Sequence, residues 1–322
     1  MTDPTSDPAS IAELLHDSPS NWGRWGEHDE VGALNFLTPD IVLQAARTIR
    51  SGKTFTLQAP VGTDKGDPTT LSRTSAIRRQ VADASTWYPG GRELGPGAPK
   101  FADDAIDIYL QGTTQVDALG HAWYGDQIWN GYDETTTIGG LDVASVAPLA
   151  RHGIVGRGVL LDMARHRGVE VLGKRDTFDD RDLEACAAAQ GVELRPHDII
   201  VIRTGVIGSY WSRDRDEFYA DWSEPGLEYR PELVKWFHKR EIPCLVTDTM
   251  GNEITLDPTT GFKLLLHNAL MRNLGIVMTE LTVLDELADD CAADGQWDFL
   301  FAAAPILVEK AAGAPVNPIV IK

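Results

Sequence analysis

GVLLDM (158–163), FDDRDLEACAAAQG (178–191) and DIIVIRTG (198–205) follow one another along the chain, and their reading decides its class. The first and last are short apolar runs with the length of buried strands. The middle segment reads as a helix that Gly191 ends. A strand, a helix and a second buried strand in succession point to an α/β protein. The same alternation continues on both sides. Toward the N-terminus, Thr38-Pro39 opens a helix that Gly52 closes, TFTLQAPV (54–61) reads as a strand, and DIYLQGTTQVDA (107–118) as another. LDVASVAPLARHG (141–153) is a short helix. Toward the C-terminus, IPCLVTD (242–248) is a strand, DPTTGFKLLLHNALMRNLG (257–275) a helix, and IVMTEL (276–281) a strand. DELADDCAADG (285–295) and WDFLFAAAPILV (297–308) add a last helix and strand. Between Gly62 and Lys100 the chain is rich in Gly, Pro and Asp and lacks periodicity, so long loops or a lid are expected there. Residues 1–20 read as a loose tail and 21–322 as a single domain.

The chain has 322 residues, with 43% hydrophobic and 24% charged, which suits a folded protein and not a disordered one. It carries 29 Lys and Arg against 48 Asp and Glu, a net charge of −19. That balance argues against nucleic acid and anionic membranes as partners, because both need clustered cations. No apolar run approaches the roughly 20 residues of a membrane span, and no signal peptide is visible. Cys186, Cys244 and Cys291 are dispersed and odd in number, so a disulfide framework and a structural zinc site are not expected, and a cytoplasmic location is. Dinucleotide, P-loop, HExxH and GxSxG patterns are absent.

The segment that carries chemistry is YLQGTTQVDALGH (109–121). Read as one strand, it collects Asp107, Tyr109, Gln111, Thr113, Gln115 and Asp117 on a single face, a row of oxygen-bearing groups. His121 follows Asp117 by four residues, past a glycine that permits a turn. Residues 111–121, Q-G-T-T-Q-V-D-A-L-G-H, resemble the signature H-x-G-T-H-x-D-x-x-x-H of the metal-dependent cyclase family, which includes bacterial kynurenine formamidases and isatin hydrolases. Asp117 and His121 match it. Gln111 and Gln115 stand where the family has its first two histidines. LLLHNALMRNLGIVMTELTVLDELA (264–288) resembles the family's later H…G…E-L segment, with His267 and Glu280 spaced by 13. Similarity extends over WGEHDEVGALNFLTP (25–39), RGVLLDMAR (157–165), HDIIVIRTG (197–205), VTDTMGNE (246–253) and DFLFAAAPILVEKAAGAPVNPIVI (298–321).

The resemblance implies an α/β fold whose mixed sheets form a compact, barrel-like core flanked by helices, of the swivelling β/α type. It implies that Asp117, His267 and Glu280 hold a divalent metal, with Gln111 and Gln115 in the remaining ligand positions, and that His121 is the general acid and base. Glutamine offers a harder, weaker donor than imidazole, which favours Mn²⁺ or Mg²⁺ while leaving Zn²⁺ open. Substrate contacts are expected from Trp123, two residues past His121, and from Asp248 and Glu253, which follow a buried strand. Trp25 and Asn35, both in the WGEHDEVGALNFLTP stretch, complete the set. The function implied is hydrolysis of a cyclic amide, lactone or N-formyl aryl amide by metal-activated water. The aromatic content near the signature leans toward a ring-bearing small molecule, and a homo-oligomer, dimer or tetramer, is expected. Two other readings stand beside it. One is a metal-free lyase or cyclase acting on a polyketide-like substrate through His and carboxylate groups. The other is a non-catalytic ligand-binding protein.

Overall fold

The computed structural model describes residues 10–322, so the first nine residues of the expected tail lie outside it. From Ser10 the chain is already built in. Ser10 caps the short helix Ile11–Leu14, Leu15 is buried in the main core, and the Asn21 side chain donates to the Leu274 carbonyl.

Nine strands form one sheet in the order Thr54–Thr56, Ile319–Ile321, Asp298–Ala303, Ile154–Asp162, Ile199–Arg203, Cys244–Thr247, Val277–Glu280, Gln115–Asp117 and Gly313–Pro315. The four central strands, from Ile154–Asp162 to Val277–Glu280, run parallel, and the flanking strands are antiparallel. The apolar runs sit in this middle because parallel strands are covered on both faces. The sheet curls into a half barrel flanked by helices. Residues just after Thr56 help to draw it round: Gln58 bridges to Thr282, and Ala59 N–H donates to the Thr114 hydroxyl. Helix Asp180–Gln190 is fixed at its start by Asp179, which accepts from the N–H groups of Arg181 and Asp182, and at its end by Gly191 in the left-handed region. Among the described residues, no helix is long and apolar enough to cross a membrane.

Three expectations are corrected. The strand expected over 107–118 is two strands with a turn between them. Asp103–Asp107 pairs with Ile77–Ala82 in a separate, largely exposed hairpin, and the chain reverses where Gly112 N–H meets the Tyr109 carbonyl before Gln115–Asp117 enters the main sheet. Of the six residues assigned to one polar face, only Gln115 and Asp117 share that face within a strand. The same hairpin replaces part of the structureless stretch expected over 62–100. Finally, the helix expected over 257–275 occupies only its second half, residues 265–274. Asp257 instead closes a turn by accepting from Thr259 and Thr260, and Leu264 at φ 57° separates that turn from the helix.

Gly275 ends that helix and begins the path into Val277–Glu280, at φ 69°. A Cβ there would meet the Trp129 ring at 2.6 Å and the Gly32 Cα at 2.9 Å. G275A is therefore expected to cost about 2–4 kcal/mol, from a disfavoured backbone angle plus overpacking, as read by urea denaturation.

A buried carboxylate–imidazole cluster as candidate metal centre

Strand register places the first part of the site. Glu280 lies directly opposite Gln115, and Asp117 follows two residues along the same face. On the other side of this strand Asp117 lies opposite Gly313. A Cβ on Gly313 would meet the Gln111 amide nitrogen at 2.7 Å and Asp117 Oδ1 at 3.1 Å, so glycine leaves the room that lets the Gln111 amide lie beside Asp117. His267 comes from the helix that precedes the Glu280 strand. The helix widens into a π-helical turn over His267–Arg272, a form that often accompanies functional side chains.

The cluster is almost closed to solvent. Asp117 is 0% exposed, His267 2% and Glu280 3%, and one ligating atom from each lies within 4.8 Å of the others. Glu280 is held from three sides. Gln115 Nε2 donates to Oε2 at 2.6 Å, Asn252 Nδ2 donates to Oε1 at 3.0 Å, and His267 Nε2 lies 3.3 Å from Oε1. The opposite ring nitrogen of His267, Nδ1, lies 2.6 Å from Glu253 Oε1. Glu253 also accepts the N–H groups of Leu266 and His267, so one carboxylate caps the helix start and orients the imidazole. A histidine held in this way keeps Nε2 aimed at the cluster, the arrangement by which carboxylates position metal-binding imidazoles.

Four buried oxygens in and beside the cluster have no hydrogen-bond partner among the described residues: both of Asp117, Oε1 of Gln115 and Oδ1 of Asn252. An unpaired buried carboxylate is costly, and a cation is the partner that would satisfy it. The donor set of two carboxylates, one imidazole and free amide oxygens fits a divalent ion, with a bias toward hard ones.

The electrostatics agree. Burial pushes the Asp117 carboxyl up to about 6, with the neighbouring His121 pulling the other way. Loss of water around His121 holds its imidazole below the ordinary range, against the pull of Asp117. His121 follows the Asp117 strand through a tight turn, in which its N–H meets the Ala118 carbonyl, and its ring centroid lies 6.5 Å from that of His267. For His267, burial alone would lower the pKa, yet the bonds to Glu253 and Glu280 hold it well above the ordinary value.

A cavity of about 420 Å³ adjoins the cluster. Trp222, Met250, Ile254 and Leu264 supply its apolar wall, and Arg73, Lys263, Glu224 and Glu253 its charged groups. It meets the cluster through Glu253, which holds His267, and through Arg73, whose guanidinium donates to the Gln111 carbonyl at 2.6 Å. A second cavity lined by Arg165, Arg203, Asp285 and Asp289 contains none of the cluster residues, and its arginines are already paired with carboxylates.

Asp117, Gln115, His267, Glu280 and Glu253 are thus brought together, with Gln111 and His121 beside them. The other expected contacts sit elsewhere. Trp123 is exposed and donates to Glu134, and Trp25 packs edge-on against Phe36. Asn35 donates to Asp29 Oδ1. Asp248 accepts from the Thr204 and Gly205 backbones and the Thr204 hydroxyl, bracing two strand ends. The cluster and its cavity also include Asn252, Arg73 and Glu224, which sequence reasoning missed. Asn252 stood inside the VTDTMGNE stretch, next to Glu253, and its signal was there. Arg73 lies in an aperiodic loop and gave none.

Residues 37–254 match the model of the Cyclase family. A crystal structure described as a novel cyclase matches at 35% identity and a TM-score of 0.86, over 94% of this chain and all of that one. Isatin hydrolase A from Ralstonia solanacearum shares the fold at 15% identity and a TM-score of 0.60, over 88% of this chain and 95% of its own. A predicted metal-dependent hydrolase from Bacillus stearothermophilus does so at 14% and 0.51, over 83% and 97%. No curated protein matches the sequence.

The raised Asp117 pKa gives a signed prediction for protein stripped of metal. The unfolded chain binds this proton with the ordinary pKa of 3.8 and the folded chain with about 6, so the folded state holds more protons between those values. Stability without metal should therefore fall as pH rises from 3.8 through about 6, by on the order of 3 kcal/mol. In chelator, D117N should melt above the wild type at pH 8, and the gap should narrow toward pH 5. A gap that does not change with pH would assign the titration to another group.

Proposed function

The chain belongs to the cyclase family, and from that premise we propose that it is a metal-dependent hydrolase of a ring-bearing carbonyl compound, either a cyclic amide, a lactone or an N-formyl aryl amide. The observation that carries this reading is the pair of unpartnered, fully buried Asp117 oxygens facing His267 and Glu280. The sharing of the fold with isatin hydrolase and the apolar, tryptophan-bearing cavity support it. Three buried, unpaired cysteines are in keeping with a cytoplasmic setting.

Asp117, His267 Nε2 and Glu280 would hold the ion, and the free amide oxygens of Gln115 and Asn252 favour Mn²⁺ or Mg²⁺ over Zn²⁺. A divalent cation there polarises a carbonyl and acidifies water. The protein does the rest. Glu253 keeps the Nδ1 side of His267 engaged, while Gln115 and Asn252 fix the two oxygens of Glu280. His121, its pKa lowered, is neutral at pH 7 and can accept a proton at a ring nitrogen. It takes that proton from the attacking water and returns it to the departing nitrogen or oxygen as the bond to the carbonyl carbon breaks.

H121A should lose kcat by about 10²–10⁴-fold while retaining metal, the usual contribution of a general acid–base group. D117N should keep the fold and lose the ion. Elemental analysis paired with kcat, on lactones, cyclic amides and N-formyl anilines, checks both. Active wild-type protein without metal sinks the reading, and a metal-replete H121A with unchanged kcat removes His121 from the mechanism.

The double variant Gln111→His plus Gln115→His should shift ion preference toward Zn²⁺, since imidazole is the better zinc ligand. Competitive metal titration reads this. Unchanged zinc affinity would mean that neither side chain reaches the ion.

A further inference from the structure

The cavity beside the cluster carries two cations that the mechanism above does not use. Arg73 is partly buried, and among the described residues its side chain's one hydrogen-bond acceptor is the neutral Gln111 carbonyl. Lys263 is exposed at the rim, one residue before the left-handed Leu264, and makes no hydrogen bond or ion pair among the described residues. Neither forms an ion pair among the described residues, in a chain with 48 acidic against 29 basic residues, and the Arg73 charge also reaches the buried Asp117, where it acts against the rise that burial causes.

The carboxylates in the same cavity do not balance them. Glu253 is committed to His267 and to two backbone N–H groups. Glu224 is buried and receives the Met250 N–H at Oε1, and that burial holds its carboxyl well above the ordinary carboxylate range.

Arg73 is also held in place before any ligand arrives. Its loop is staked by Asp67, which is 1% exposed and accepts the N–H groups of Gly62 at 2.8 Å and Ala76 at 2.6 Å. The Tyr219 hydroxyl donates to the Thr69 carbonyl in the same loop at 2.7 Å. A fixed guanidinium beside an apolar wall is the arrangement that recognises an anionic group on an otherwise hydrophobic ligand.

We propose that this cavity takes an anionic substrate: a single-ring carbonyl compound whose carboxylate lies against Arg73 and Lys263 while its carbonyl points to the Asp117–His267–Glu280 cluster. The placement of the carbonyl rests on the hydrolase reading, whereas the anion site does not. A volume of about 420 Å³ has room for a ring-bearing small molecule.

The test is isothermal titration of the full-length protein with 3-formamidobenzoate and with its neutral counterpart 3-formamidobenzamide, in Mn²⁺ and again after chelation. The anion should bind about tenfold more tightly, an effect of the size expected for a partly desolvated charge pair, and the preference should weaken with salt. K263Q, which alters an exposed side chain, should lower that preference. R73Q should lower it further, and the double variant should abolish it, leaving the anion and the amide bound with equal affinity. No preference in the wild type, including no detectable binding of either compound, overturns the proposal. So does a preference that survives the double variant, or one that disappears on chelation and therefore belongs to the metal. Anion-selective binding without hydrolysis supports this site and counts against the hydrolase reading, while hydrolysis of both compounds with equal affinity does the reverse.

Discussion

The 2.6 Å hydrogen bond from Gln115 Nε2 to Glu280 Oε2 joins the two strands on which the site is built, and it does so where neither group has access to water. The pair sits at a register position, Gln115 opposite Glu280, so the backbone ladder and the side-chain bond enforce the same alignment. A slip of one residue in the Gln115–Asp117 strand would turn Gln115 and Asp117 to the other face, away from Glu280. It would leave those two polar groups in apolar surroundings and put Val116 beside Glu280. Register is therefore over-determined here, and the cluster geometry is part of what specifies the fold.

Stability is lower where function needs room. Gly313 has no side chain because the Gln111 amide and Asp117 occupy the space a Cβ would take. Gly275 and Leu264 each adopt positive φ at the two ends of the helix that carries His267. Between them the helix is widened by its π-helical turn. Each of these features is unfavourable alone, and they coincide around one imidazole. The compensation is local: Glu253 caps the helix, orients the ring and supplies charge opposite it with a single carboxylate.

How much of this could be read in the sequence depended on where each residue sits. The central strands 158–163, 198–205 and 242–248 were legible because burial on both faces makes them uniformly apolar. The hairpin Ile77–Ala82 with Asp103–Asp107 was not, because almost every residue in it is exposed and its sequence, IRRQVA and DDAID, looks like a loop. Alternation of oxygen-bearing residues ran on through the turn at Gly112, and period alone cannot show that a chain has left one sheet for another. Asp117 was legible as a polar residue on a buried strand. His267 became persuasive only through resemblance to a family, since a lone histidine in an apolar helix is ordinarily a packing residue, whereas Glu280, a carboxylate on an apolar strand, hinted at a partner by itself. Trp25 and Asn35 belong to the packing of the N-terminal loops, and nothing in residue type distinguishes that use from a pocket wall.

An amide at position 115 carries its donor and its acceptor on separate atoms. The Gln115 nitrogen holds Glu280 while its buried oxygen has no hydrogen-bond partner, so one side chain joins the strands and still offers an oxygen to the cluster. Amide oxygens are weaker donors, so a site of this kind relies more on its carboxylates for affinity. Asp117 bears the larger part of that load, because both its oxygens lack a hydrogen-bond partner while Glu280 is already held by Gln115, Asn252 and His267. Arg73 stands where the cavity meets the cluster, its guanidinium on the Gln111 carbonyl, and its charge reaches Asp117 against the rise that burial causes, so cavity and cluster share one electrostatic field.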